Sequence, residues 1–84
     1  MTTLTLLYFA WVRERIGLSS EQVTTHATTV AQLIDELRAR EDRYALAFSD
    51  LSALRVAIDQ DLRDFDASLT GAREVAFFPP MTGG

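Results

Sequence analysis

Val30, Leu33, Ile34 and Leu37 recur at the i, i+3, i+4, i+7 spacing of a helical stripe, with Thr29 as N-cap and Gln32 three residues on as the second member of a capping box. This is the clearest helix in the chain. One apolar stripe must be buried against another layer, and the other apolar runs are short and strand-like, so the helix needs one face of a sheet to cover.

The strands can be read around that helix. In Thr3 to Phe9, Leu4, Leu6 and Tyr8 fall on one face and Leu7 and Phe9 on the other, as period-2 geometry dictates, and apolar residues on both faces mark an interior strand. Trp11 to Ile16 reads as a helical turn closed by Gly17, which tolerates the left-handed conformation of a helix C-terminus. Glu21 to His26 alternates weakly and is expected to pair back on the first strand. Asp42 to Phe48 reads as a shorter helical piece adding Tyr44, Leu46 and Phe48 to the hydrophobic inventory. Leu54 to Ile58 is a strand, Asp59 to Asp61 a turn, Leu62 to Leu69 an irregular crossing, Thr70-Gly71 a turn, and Glu74 to Phe78 the last strand. The order is strand, strand, helix, strand, strand. If the last strand lies parallel beside the first, the connection is the usual right-handed crossover. The expected class is α+β: a ubiquitin-like β-grasp, a mixed sheet with one main helix on one face, over residues 1–78, followed by a flexible tail, 79–84.

Composition narrows what such a domain does. With 84 residues and no cysteine, the chain is one small domain whose core comes from packing alone, which excludes disulfide frameworks, zinc ribbons and iron-sulfur clusters. All eight basic residues are Arg and the net charge is −4, so no nucleic-acid partner is expected. The longest apolar run, Leu6 to Val12, falls far short of the roughly 20 residues of a membrane span. As a signal peptide it lacks a preceding basic residue, and its removal would take away a core strand. The expected location is the cytoplasm, without membrane association.

The usual catalytic groupings are missing from the sequence. Asp59, Asp61, Asp64 and Asp66 suggest a metal loop, but an EF-hand counted from Asp59 requires Gly and Glu where Asp64 and Thr70 stand, so a solvated turn is expected and no metal. His26 is the sole histidine and anchors no catalytic set. The four glycines match no phosphate-binding spacing. What remains is the end, FFPPMTGG. Phe77 and Phe78 anchor its base, Pro79 and Pro80 stiffen the exit, and from Met81 and Thr82 the side chains dwindle to Gly83 and Gly84. A tail of this form suits a narrow channel, and free in solution Met81 to Gly84 is expected to be disordered.

The segments FAWVRERIG, DRYALAF and EVAFFPPMTGG, in this order and spacing, resemble the small-subunit family of molybdopterin synthase over essentially all of the chain. The resemblance implies a β-grasp sulfur carrier whose Gly84 carboxylate is adenylated by an E1-like enzyme using ATP and converted to a thiocarboxylate. It further implies docking into a large subunit, in a heterotetramer of two small and two large subunits, and sulfur delivery to cyclic pyranopterin monophosphate to form the dithiolene of molybdopterin. Catalytic residues would then belong to the large subunit, and this chain would hold no permanent cofactor. The residues agree with these implications. Without cysteine there is no persulfide, which leaves the Gly84 carboxyl to carry sulfur, and that ionised carboxyl is a poor electrophile until an oxygen becomes a leaving group. Without lysine, no internal amine accepts another copy's activated terminus. Sulfur carriers of thiamine or cysteine pathways, a ubiquitin-like protein modifier and a plain interaction module are the alternatives.

A docking surface follows from strand alternation. If Val75 and Phe77 face the core, Phe78 faces the other way, where parallel pairing brings Phe9 nearby and Leu62 joins them. With Pro79, Pro80, Met81, Thr82, Gly83 and Gly84, these residues form the expected partner-binding set. Ordering four tail residues costs roughly 4 to 8 kcal/mol. Burying three large side chains at about 1.5 to 3 kcal/mol each offsets that cost.

Overall fold

The computed structural model describes residues 1–80. Strands β1 (Thr2–Tyr8), β2 (Ser20–Thr25), β3 (Arg55–Ile58), β4 (Asp61–Arg63) and β5 (Glu74–Phe78) form one sheet of order β2-β1-β5-β3-β4. β5 runs parallel to β1, and the other neighbouring strands are antiparallel. The last strand therefore occupies the middle of the sheet. This is the β-grasp arrangement expected from the order of elements.

Leu4, Leu6 and Tyr8 of β1 are at most 1% exposed, as are Val75 and Phe77 of β5 and Val56 of β3. They meet Val30, Leu33, Ile34 and Leu37 of helix α2 (Val30–Arg40) in one core. The Thr29 hydroxyl accepts from Gln32 N–H as expected, but the Gln32 amide returns to the backbone and hydroxyl of Thr28 instead of Thr29, moving that half of the capping box one residue earlier. Val30 N–H and Ala31 N–H at the helix start donate to the carbonyls of Ala67 and Phe65. The crossing segment thereby satisfies amides that an isolated helix leaves unpaired.

Helix α1 (Ala10–Ile16) closes at Gly17, whose φ of 88° is the left-handed cap its sequence suggested. Helix α3 (Asp42–Ala47) buries Tyr44, and Phe48 behind it is fully buried. Four expectations need correction. Leu46 is 61% exposed, because on this six-residue helix Tyr44 and Ala47 take the inward positions. Phe9 lies outside β1, since the chain turns into α1 immediately after Tyr8. Asp61, read as the end of a turn, and Leu62 and Arg63, read as the start of an irregular crossing, form β4; the turn at Asp59 and Gln60, with φ of 50° and 74°, folds them back on β3. Finally, β2 ends at Thr25, leaving His26 in the loop.

Candidate functional site

The site is built where β5 ends. Phe77 is held from the core side by Tyr8, whose ring stacks on it at 6.1 Å, and by Phe48, tilted at 5.0 Å. Its carbonyl accepts from Phe9 N–H at 3.1 Å. Tyr8 is fixed in turn by its hydroxyl, which donates to Glu21 Oε2 at 2.7 Å, and Tyr44 donates to the same oxygen at 2.6 Å. Burial, then the Glu21 carboxylate, raises both phenol pKa values, that of Tyr44 to about 12. The segment after Phe78 thus leaves from a strand end clamped on its inner side.

The outer side carries an apolar row. Directly opposed residues share a face, and the ladders align Leu7, Ala76, Ala57 and Leu62 in one row across four strands. Phe78 sits in the next row opposite Arg55, and the strand direction carries Phe9 alongside it. Phe9 is 47% exposed, Leu62 is 68% exposed and Phe78 is half-buried. Ala57 and Ala76 make a low floor between the larger side chains. The structure therefore brings Phe9, Leu62 and Phe78 onto one face, as alternation suggested, at the exit of Pro79 and Pro80, both half-buried. Met81, Thr82, Gly83 and Gly84 lie outside the described residues, and with them the readings of a disordered tail and a sulfur-bearing terminus.

Ala10, between Phe9 and Trp11, has a φ of 52°. This left-handed turn, uncommon for a residue with a Cβ, lets β1 pass into α1 while Phe9 stays on the sheet's outer face. Nothing in the composition of FAWVRE signals it.

The other polar residues singled out in the sequence do not converge. His26 is exposed in a loop. Asp59 Oδ1 accepts from the amides of Arg73 and Glu74 at 3.1 and 3.0 Å, so its work is to tie the β3–β4 turn to the start of β5. Among the described residues no three His, Asp or Glu side chains come together as a metal site, and no helix is long and apolar enough to cross a membrane.

Comparisons with known proteins bear on the family and the fold. The sequence profile of the ThiS family matches residues 6–84. The chain is 46% identical over 79 residues to the molybdopterin synthase sulfur carrier subunit of Escherichia coli (strain K12), covering 94% of this chain and 96% of that one. It is 37% identical over 81 residues to the protein of the same name from Haemophilus influenzae, covering 96% and 99%. Among solved structures, the complex of subunits 1 and 2 of molybdopterin-converting factor from Helicobacter pylori matches with a TM-score of 0.63 at 19% identity, over 99% of this chain and 100% of the matched chain. That last likeness bears on the fold.

Proposed function

The chain belongs to the ThiS family, and on that premise we propose that it is the sulfur carrier subunit of a molybdopterin synthase, donating sulfur from a thiocarboxylate at Gly84. The observation that carries the reading is 46% identity to a sulfur carrier subunit along 94% of the chain, within a family match that runs through residue 84. The root geometry supports it: a clamped strand end and an apolar outer face suit a domain that presents its terminus to other proteins.

In this reading the chain supplies a carboxyl group and the surface that delivers it. An E1-like enzyme adenylates the Gly84 carboxylate with ATP, releasing pyrophosphate. Sulfide (HS⁻) then attacks the acyl carbon, the bond to AMP breaks with AMP as the leaving group, and the thiocarboxylate remains. The face of Phe9, Leu62 and Phe78 docks on the large subunit, and Pro79 to Gly84 enters its channel. There the sulfur passes to cyclic pyranopterin monophosphate, and water restores the carboxylate. The large subunit supplies the catalytic residues, two copies of each subunit make the assembly, and the cytoplasm is its place. The chain itself needs no bound cofactor.

The test is intact mass spectrometry after incubation with an E1-like activating enzyme, ATP and a sulfur donor. The expected product has one oxygen replaced by sulfur at the C-terminal residue, and adding the large subunit with substrate returns the original mass. A terminus that stays unmodified under conditions that thiolate a known carrier of this family would overturn the reading.

A further inference from the structure

The tail root has a second side. After Tyr8 the chain enters α1, and the 3-10 turn Leu51–Ala53 leads into β3, whose first residue Arg55 pairs with Phe78. Both segments therefore lie at the end of the sheet from which Pro79 departs. Between them is a notch of about 410 Å³, open to solvent and lined by Trp11, Arg15, Ser49, Asp50 and Ala53.

Arg15 governs the chemistry of this notch. One helical turn after Trp11, its guanidinium carbon lies 4.5 Å from the centre of the indole ring. A guanidinium stacked in this way is held in orientation while its N–H edges stay available. No hydrogen bond or ion pair engages Arg15 among the described residues, whereas Arg38 and Arg43 each have both. The acidic group in the notch is turned to its own segment through one oxygen, Asp50 Oδ1, which accepts from the backbone amide and hydroxyl of Ser52, and among the described residues no ion pair joins it to Arg15. What the notch offers a visitor is an oriented, uncommitted guanidinium beside an aromatic face. The matching chemistry is a carboxylate, which such a group binds through two parallel hydrogen bonds.

Position limits the visitor to proteins that act on the tail. Four residues beyond Pro80 reach no further than about 14 Å when fully extended. A partner that acts on Gly84 must therefore come within that distance of the root, beside which the notch opens on the α1 side. We propose that the Trp11–Arg15 notch is a second docking point for the large subunit, taking an Asp or Glu side chain from the rim of the channel that receives the tail. The proposal rests on the sulfur-carrier reading and deepens it. The apolar face supplies contact area, and the notch sets which way round the tail enters.

Calorimetric titration of the purified large subunit with the full chain, at low and at physiological salt, tests this. Arg15→Gln should weaken association by about fivefold and Arg15→Glu by about tenfold or more, and both should flatten its salt dependence. Trp11→Ala should weaken it less, through loss of orientation. Arg73→Glu, an exposed charge reversal at the opposite end of β5, should stay within about twofold. Since Arg15 is exposed and its variants lose only the Trp11 stack and a helix-end charge, they should remain folded, with a thermal midpoint lowered by no more than about 8 °C. Binding within about twofold for both Arg15 variants overturns the notch, and so does an equal loss in Arg73→Glu. Absence of binding by the unaltered chain overturns the sulfur-carrier reading itself, and the notch with it.

Discussion

Tyr8 and Tyr44 aim their hydroxyls at the same carboxylate oxygen, Glu21 Oε2, from 2.7 and 2.6 Å. One phenol belongs to β1 and the other to α3, so the shared acceptor on β2 ties the clamp behind Phe77 to the helical layer. These are the chain's two tyrosines, and there is no Lys or Cys. Between the range of the amino terminus and that of arginine, titration therefore belongs to this pair alone.

Alkaline unfolding should report on it directly. Both phenols have folded pKa values raised above the unfolded value of about 10, so their stabilisation is complete below about pH 10 and is lost as pH rises through the folded values. Denaturant titrations should show stability falling above about pH 10, by up to about 1.4 kcal/mol per pH unit for each tyrosine. Tyr44→Phe should cost roughly 1 to 2 kcal/mol near neutrality and halve that slope. Tyrosinate absorbance appearing in the folded protein near about pH 10 would contradict the account.

Neighbouring phenylalanines should behave oppositely. Phe77 is fully buried between Tyr8 and Phe48, and Phe77→Ala is expected to lose about 3 to 5 kcal/mol of folding stability. Half-buried Phe78→Ala should lose much less stability but weaken large-subunit binding by about 1.5 to 3 kcal/mol. Calorimetry of folding and of association on both variants checks the pair. Undiminished binding by well-folded Phe78→Ala removes the docking face.

Removing Gly84 should leave the thermal midpoint within about 1 °C, a shift that corresponds to only a small fraction of 1 kcal/mol for a domain this size. The same deletion should abolish thiocarboxylate formation or sulfur transfer. Full transfer by the truncated chain would place the chemistry elsewhere.

At Ala10 the left-handed φ separates two substitutions that a helical reading would rank otherwise. Ala10→Gly relieves the torsion while adding unfolded-state freedom, so stability should change by less than about 1 kcal/mol. Ala10→Val places a branched Cβ in the same torsion and should cost more than about 1 kcal/mol. A Gly variant less stable than the Val variant would refute the strain.

Glu74–Phe78 could be bounded to the residue from sequence, because its apolar run stands between turn residues and a proline pair that cannot continue a central strand. The shared face of Phe9, Leu62 and Phe78 was also legible, since alternation survives small errors at strand ends. β4 was not: all three of its residues are exposed, so no burial pattern marks it, and its pairing depends on left-handed backbone at Asp59 and Gln60. Leu46 was misplaced because six helical residues are too few to define an apolar stripe. The notch escaped for another reason. Trp11 and Arg15 are visible as an i, i+4 pair, but the Ser49–Ala53 wall that faces them is brought there only by tertiary folding.

β5 is hydrogen-bonded along both edges, to β1 and to β3, and the tail continues from its end. Traction on the tail by a partner therefore acts along the strand axis. Inter-strand bonds lie across that axis in the antiparallel ladder and at a slant in the parallel one. Such a pull loads both ladders in shear, with the bonds sharing the force instead of parting in succession. The same tail on an edge strand would meet resistance from one ladder only. The central position makes the domain a mechanically firm handle that resists coming apart at the root when its tail is loaded.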